Sequence, residues 1–139
     1  MNERQTVPYL LTAAGMESLR SFVDHSTLFA FDLDGTLTAI TTNPGDIVLT
    51  PEIRSSLVSL ARSAAVAIIT GRSRSDALAH LGFHPNFLIG NHGSEGLPGW
   101  EEKETEFTLL CANWEIQMRH LLHETESGGI AIENKGTTL

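Results

Sequence analysis

Cysteine, basic residues and long apolar runs are all scarce in this 139-residue chain, and each shortage excludes a class of protein. Cys111 is the only cysteine, so no disulfide can form within the chain, which fits a reducing compartment such as the cytoplasm. Nine basic residues stand against 17 acids, and the formal net charge of -8 disfavours nucleic acids and anionic membranes as partners. No apolar run approaches the ~20 residues that span a bilayer. The N-terminus has only a short apolar segment, so we expect no signal peptide.

The rest of the composition is that of a globular protein, with 41% hydrophobic and 19% charged residues. The length suffices for one domain with a core. Short apolar runs alternate with amphipathic segments, which predicts strands at 27–32, 65–70 and 86–90, and helices at 9–24, 51–64 and 73–82. The apolar runs are unbroken, as in parallel strands that are buried on both faces. The order of elements therefore predicts a Rossmann-like α/β domain with a parallel sheet.

Turn and cap residues support these boundaries and mark a change after residue 90. Thr50 stands before a proline and predicts a helix start, whereas Gly82 predicts a helix end. A glycine-rich loop and the charge run "EEKETE" precede one more amphipathic helix, predicted at 107–124. Its apolar side carries Leu110, Trp114, Leu121 and Leu122. We expect residues 127–129 to break this helix and residues 130–139 to begin another strand.

Polar residues follow each predicted strand of the sheet. Asp32 ends the first strand, and Asp34 lies two positions further, before Gly35 lets the chain turn. Thr70 ends the second strand and is followed by a glycine and an arginine, and the third strand runs into "GNHGSEG" (90–96). Because the carboxyl ends of parallel strands meet at one edge of a sheet, we expect these residues to line a single crevice.

Two carboxylates as close as Asp32 and Asp34 repel each other unless a cation or a proton intervenes. Mg²⁺ suits this position, because it takes oxygen ligands, keeps several waters and binds one or two carboxylates together with a phosphate. When a metal screens the charge, one carboxylate can attack phosphorus as a nucleophile. The other can carry the proton between the leaving group and water. The pair therefore predicts metal-assisted phosphoryl transfer.

Four stretches together carry a resemblance to a known family. "DLDGTLT" (32–38) resembles the first motif of the haloacid dehalogenase-like phosphohydrolases, and "IITGRS" (68–73) is similar to their second. Within that superfamily the chain looks most like the trehalose-6-phosphate phosphatases. These show "TGR" (70–72 here), a G-x-H-G-x-E stretch ("GNHGSE", 90–95) and an E-x-K-G segment in a cap domain ("ENKG", 133–136). The resemblance implies hydrolysis of trehalose 6-phosphate with Mg²⁺ as cofactor.

The resemblance also implies a role for each residue of the matched motifs. Asp32 is the nucleophile that forms an aspartyl-phosphate and a ligand of the metal, and Asp34 is the general acid and base and a second metal ligand through its backbone carbonyl. Thr70 binds a phosphate oxygen, and Gly71 permits its close approach. Arg72 positions a loop or the substrate.

Further residues of the motifs are expected to bind the substrate. Glu133 and Lys135 are placed where the cap grips sugar hydroxyls. The other expected phosphate- or substrate-binding residues are Leu33, Thr36, His92 and Glu95. The same resemblance divides the chain into part of a phosphatase core (1–95) and part of an α+β cap (96–139).

Each of these assignments has a structural alternative. The aspartate motif could be only a capped turn, and Thr70 could cap the next helix. Arg72 could form a surface ion pair, and His92 could simply hydrogen-bond within its loop. Glu133 and Lys135 could be charges on the outer face of a strand.

The family pattern also includes a phosphate-neutralising lysine and an acidic pair that completes the metal shell, and neither is found in residues 1–139. We therefore expect the isolated chain to have little activity, since each lost electrostatic group costs ~10²–10³ in rate. Two other functions stay open. One is a related phosphatase that acts on another sugar phosphate, and the other is a non-catalytic protein that binds or regulates a partner.

A strand of the family's sheet is likewise not found in residues 1–139. In this fold the strand that would pair beside the first strand comes later in the chain. The apolar segment 27–32 is therefore expected to be an open edge, through which copies of the chain self-associate.

Overall fold

The computed structural model describes residues 9–124 and 129–139, and within these ranges the chain is a mixed α/β protein. The helices are α1 (Ala13–Phe22), α2 (Pro51–Ala61), α3 (Arg74–Leu81) and α4 (Glu101–Glu124). The strands are β1 (Leu28–Phe31), β2 (Ala65–Ile69) and β3 (Phe87–Ile89). They form one parallel sheet in the order β1-β2-β3, with Ala67 paired to Ala30 on one side and to Phe87 on the other. The predicted α/β class with a parallel sheet is confirmed.

Local side-chain chemistry explains where the helices begin and end. The Thr50 hydroxyl accepts a hydrogen bond from the backbone N–H of Ile53 at 3.4 Å, so α2 begins as predicted. Helix α3 ends at Gly82 in the left-handed conformation, also as predicted. The hydroxyl that caps α3 belongs to Ser73, which accepts from the N–H of Asp76. The alternative in which Thr70 caps that helix is therefore wrong.

The core lies around the central strand β2, because this strand has a neighbour on both sides and helices packed against it. Val66 and Ile68 are fully buried. Against them pack aliphatic side chains of the helices and of the loop after β1, namely Leu33, Leu37, Ile47, Leu49, Leu57, Ala77 and Leu81. Burial of these side chains from water stabilises the fold by about 25 cal/mol per Å² of apolar surface.

Strand β1 is less buried than its apolar sequence predicts. It lies at the edge of the sheet in the described residues, and Leu28 is 53% exposed. Phe29 and Phe31 pack against the core, but Ala30 between them is exposed. Among the described residues only β2 pairs with β1, so the expected open edge is confirmed, whereas the expected burial on both faces is wrong.

The region after residue 90 differs most from its prediction. Helix α4 begins at Glu101, so the charge run forms its first turns. Its predicted apolar side is largely open, with Trp114 50% and Leu121 61% exposed. Residues 130–139 form no strand, because no neighbouring strand is present among the described residues to pair with them. The predicted break at 127–129 begins outside the described residues. No described helix is both long and apolar enough to cross a membrane.

Candidate active site

The turn after β1 directs two carboxylates outward and one leucine inward. The backbone carbonyl of Leu33 accepts hydrogen bonds from the N–H groups of Leu37 (3.1 Å) and Thr38 (3.0 Å) and from the Thr38 hydroxyl (3.1 Å). Gly35 closes the turn with a φ of 84°, a value that side chains disfavour. As a result Leu33 enters the core at 0% exposure, while Asp32 and Asp34 remain outside it. The Leu33 side chain therefore cannot bind substrate, and only its backbone could.

Most of the predicted site residues meet in one cavity, which we call the main cleft. It has a volume of about 580 Å³ and lies at the carboxyl ends of β1 and β2. The predicted residues that line it are Asp32, Asp34, Gly71, Arg72, His92, Glu133 and Lys135. Residues that were not predicted complete the wall: Pro44, Ser73, Asp76 and Asn134.

Three predicted residues lie outside the main cleft, besides Leu33. Thr70 is buried and lines an adjoining groove of about 450 Å³, which shares Asp32 and His92 with the main cleft. Thr36 lies at the rim, where its hydroxyl donates to the Asp32 carboxylate at 3.3 Å. Glu95 does not line either cavity. Its carboxylate accepts from the backbone N–H of Arg74 at 2.8 Å and thereby ties the loop after β3 to α3.

Arg72 holds Asp34 in a two-point ion pair. Its Nε donates to Oδ2 of Asp34 at 2.8 Å and its Nη2 to Oδ1 at 2.7 Å. The same guanidinium donates to the Pro44 carbonyl at 2.6 Å and to Asp76 at 2.7 Å. Its side chain is only 11% exposed. Because protein acceptors occupy Nε and both terminal nitrogens, Arg72 positions the Asp34 carboxylate and the loop that carries Pro44.

This pair sets the charge state of Asp34. The hydrogen bonds from Arg72 hold the pKa of the Asp34 carboxyl below its usual value, and the positive charge of Arg72 acts in the same direction, whereas burial opposes them. The pKa of Arg72 is raised in return, first by its hydrogen bonds to Asp34. Asp34 is therefore an ionised carboxylate at neutral pH.

The lowered pKa predicts a stability difference that depends on pH. Because ionised Asp34 is favoured in the folded state, its contribution is present above the unfolded-state pKa near 3.8 and disappears as the pH falls through the lower folded-state pKa. We expect Asp34→Asn to reduce the free energy of unfolding at pH 7 by no more than about 1 kcal/mol, because Asp34 is more than one-third exposed. Thermal unfolding of the unsubstituted chain and of Asp34→Asn should show that the difference between their free energies of unfolding disappears below pH 3.8.

The control for this measurement is Asp46→Asn, at an exposed aspartate outside both cavities. At pH 7 this variant should have the same unfolding temperature as the unsubstituted chain. A gap for Asp34→Asn that persists down to about pH 2 would contradict the ion-pair account.

Gly71 and His92 form the floor between the main cleft and the groove. A Cβ atom at Gly71 would lie 2.4 Å from Cε1 of the His92 ring, so only glycine lets this imidazole lie where it does. The backbone N–H of His92 donates to the carbonyl of Thr70 at 3.0 Å, which fastens the loop after β3 to the end of β2. This backbone bond does not test the alternative in which the His92 ring hydrogen-bonds within its own loop. Its ring faces both cavities.

The residues that sequence reasoning missed are those whose importance depends on distant partners. Pro44 contributes a carbonyl from the loop before α2, and Asp76 a carboxylate from the first turn of α3. Asn91 lies inside the "GNHGSE" motif, yet its near-complete burial has no signal in the sequence. Only the type of Asn91, a polar residue directly after a buried strand, could have drawn attention to it.

The donor set of the cleft fits a cation that needs few protein ligands. Asp32 lines the main cleft, and its carboxylate accepts one hydrogen bond among the described contacts, from Thr36. The Asp34 carboxylate is engaged by Arg72, which leaves its backbone carbonyl as the group for a metal. The described residues contain no group of three or more acidic, histidine or cysteine side chains that could hold a metal. One free carboxylate beside a carbonyl suits Mg²⁺, which keeps several waters.

Comparison with known proteins identifies a family that covers most of the chain. The model of the trehalose-phosphatase family matches residues 30–139. The chain is 34% identical over 88 residues to "Probable trehalose-phosphate phosphatase 9" of Oryza sativa subsp. japonica, covering 58% of this chain and 23% of that protein. It is 30% identical over 89 residues to the trehalose-phosphate phosphatase of Mycobacterium tuberculosis strain H37Rv, covering 64% of this chain and 22% of that protein.

Among solved structures, a trehalose-6-phosphate phosphatase related protein shares the fold with a TM-score of 0.60 at 22% identity, covering 79% of this chain and 48% of that one. The chain spans less than a quarter of the curated relatives that it matches. The family model covers most of the chain and includes all the residues that line the main cleft. The chain therefore belongs to the trehalose-phosphatase family.

Proposed function

We propose that the protein carrying this chain hydrolyses trehalose 6-phosphate to trehalose and phosphate. The observation that supports this most is the contrast between two neighbouring aspartates in one cleft. The Asp32 carboxylate is lightly hydrogen-bonded and open, whereas the Asp34 carboxylate is fixed and kept ionised by Arg72. Two carboxylates in different environments can divide the roles of nucleophile and proton carrier.

In the first step an Asp32 carboxylate oxygen attacks the phosphorus of the substrate. A bond forms between this oxygen and phosphorus, and the bond between phosphorus and the sugar oxygen breaks, which leaves an aspartyl-phosphate and a sugar alkoxide. The alkoxide takes a proton to become the trehalose hydroxyl. Asp34 supplies this proton only in a state in which its carboxyl is protonated and its pair with Arg72 is loosened.

In the second step water attacks the phosphorus of the aspartyl-phosphate, which frees Asp32 and releases phosphate. Asp34 accepts the proton of this water. The ion pair with Arg72 keeps the Asp34 carboxylate charged and oriented before the water arrives, although the lowered pKa makes Asp34 a weaker base. An ionised Asp34 can accept a proton, whereas the acid role needs a change of partner.

The Asp32 carboxylate and the backbone carbonyl of Asp34 are the groups that would hold Mg²⁺. The family is one of haloacid dehalogenase-type phosphatases, which are typically metal dependent. When bound, the ion would neutralise charge on the phosphate oxygens. Thr70, in the adjoining groove beside Asp32, would donate its hydroxyl to a phosphate oxygen.

Glu133 and Lys135 would bind the sugar. Both line the main cleft, and their charged groups lie 3.6 Å apart. A carboxylate and an ammonium side by side can accept from and donate to neighbouring sugar hydroxyls. We assign these residues to the cap part of the protein (96–139) and the aspartates to the core part (1–95). We place the enzyme in the cytoplasm.

The test is a comparison of phosphate release from trehalose 6-phosphate, sucrose 6-phosphate and glucose 6-phosphate by the complete gene product with Mg²⁺. Trehalose 6-phosphate should give the highest kcat/KM. A preference for either of the other two would support a related sugar-phosphate phosphatase. Binding of trehalose 6-phosphate without turnover would support the non-catalytic alternative.

The open edge at β1 leads to a separate prediction about assembly. The strand has one neighbour in the described residues, and its exposed Leu28 makes the edge attractive to a second copy. We expect residues 1–139 to self-associate in size-exclusion chromatography with multi-angle light scattering. Leu28→Lys should shift the chain toward monomer, because a charge at an edge strand opposes pairing.

The matched control is Leu109→Lys, since Leu109 is 64% exposed on α4. This change should leave the measured mass unaltered. An unsubstituted chain that elutes as a clean monomer would refute association through β1.

A further inference from the structure

Asn91, at the end of β3, is buried in an unusual way for a polar loop residue. It is 1% exposed and has a φ of 48°, in the left-handed region that asparagine tolerates better than most residues. Its backbone N–H donates to the carbonyl of Arg72 at 2.7 Å. A buried amide in this conformation needs partners, since a buried polar group without a hydrogen bond destabilises the fold.

The partners of the Asn91 side chain lie mainly on one distant segment. Its Nδ2 donates to the backbone carbonyl of Lys135 at 2.9 Å, to the Thr137 hydroxyl at 3.0 Å and to the Glu95 carboxylate at 3.1 Å. Its Oδ1 accepts from the Thr138 hydroxyl at 3.3 Å. One amide group therefore fixes three residues of the segment 133–138 to the end of β3.

The segment 133–138 carries the charged wall of the main cleft. Its Glu133, Asn134 and Lys135 all line that cleft. The backbone of Lys135 is fixed twice, because its carbonyl accepts from Asn91 and its N–H donates to the Thr138 carbonyl at 3.0 Å. A second anchor comes from α4, where Glu115 accepts from the Asn134 side chain at 2.7 Å.

We propose that Asn91 is a positioning residue for sugar recognition, which holds the segment 133–138 so that Lys135 and Glu133 face the ligand above the aspartates. This rests on the proposed function, in which the ligand is a sugar phosphate. Among the described contacts, the Asn91 side chain has neither Asp32 nor Thr70 as a partner. Its loss should therefore weaken binding of the sugar and leave binding of the phosphate group unchanged.

Two substitutions separate the role of the side chain from that of the backbone. Asn91→Asp keeps the shape but replaces the donating NH₂ by a carboxylate oxygen that repels Glu95 and the carbonyl of Lys135. Asn91→Gly removes the side chain, while glycine accepts the positive φ without strain. Asn113→Asp, on the exposed face of α4, is the control for the added charge.

The experiment measures the affinity of the complete gene product, carrying Asp32→Asn to prevent turnover, for trehalose 6-phosphate and for inorganic phosphate by isothermal titration calorimetry with Mg²⁺. We expect both Asn91 variants to bind trehalose 6-phosphate roughly tenfold more weakly, which corresponds to about 1.4 kcal/mol of binding free energy. The affinity for inorganic phosphate should change less than about twofold in every variant. Asn113→Asp should bind both ligands with the affinity of the unsubstituted chain. Amide hydrogen exchange at Lys135, read by NMR without ligand, should accelerate in both Asn91 variants, with β2 unchanged.

Each other outcome has a definite meaning. Unchanged affinity for trehalose 6-phosphate in both variants, or an equal loss for the two ligands, would overturn the positioning role. An unsubstituted chain that binds the two ligands equally would count against the proposed substrate. The exchange measurement then decides about Asn91: faster exchange confined to 133–138 supports the anchor, and unchanged exchange refutes it.

Discussion

Replacing Asp32 with asparagine is expected to lower phosphate release from trehalose 6-phosphate by about 10⁴-fold or more in the complete gene product, as loss of a nucleophile does in covalent catalysis. The amide has nearly the same shape as the carboxylate, and Asp32 lies outside the core. The loss should therefore appear in kcat without a change in thermal stability.

Asp46→Asn is the matched control for this assay, because it makes the same chemical change at an exposed aspartate outside both cavities. It should retain full activity. If Asp32→Asn kept more than about one-tenth of the rate, Asp32 could not be the nucleophile, and the proton-carrying and metal-binding roles would have to be reassigned.

Replacing Arg72 with lysine is expected to lower kcat about 10²-fold and leave KM nearly unchanged, because a catalytic group displaced by ~1 Å can cost that much. Lysine keeps the positive charge but cannot make the two parallel hydrogen bonds that orient Asp34. Steady-state kinetics on trehalose 6-phosphate separates the two parameters. The pKa of Asp34 should also rise toward its usual value, since its main cause of depression is removed.

The control here is Arg62→Lys at an exposed arginine after α2. It should leave both kcat and KM as they are. A KM that rises tenfold at constant kcat for Arg72→Lys would show instead that Arg72 binds the substrate directly, although four of its five N–H donors are used by protein acceptors.

The elements that local chemistry decides were predictable from the sequence. Thr50 before a proline and Gly82 at a helix end act through their own backbone, so α2 and α3 were placed within a few residues. The spacing of Asp32 and Asp34 around a buried leucine follows from the strand period and the glycine turn. The family motifs also contain most of the residues that line the main cleft.

What depends on distant partners was not predictable. The position of β1 at the edge of the described sheet agrees with the expectation drawn from the family pattern, whereas the exposure of Leu28 was not predictable from the apolar run alone. Residues 130–139 have strand-like sequence but form no strand, because pairing needs another strand and hydrogen bonds to Asn91 take its place. Likewise the assignment of Glu95 to substrate rested on a motif, whereas its carboxylate is used by Arg74 and Asn91.

The most direct test of the account is to trap the covalent intermediate. The complete gene product would be mixed with trehalose 6-phosphate and Mg²⁺ and quenched with borohydride, which reduces an aspartyl-phosphate to homoserine. Mass spectrometry of the peptide that contains β1 should then find homoserine at position 32 and unmodified Asp34. Homoserine at position 34, or turnover with no modification of either residue, would contradict the claim that Asp32 attacks phosphorus.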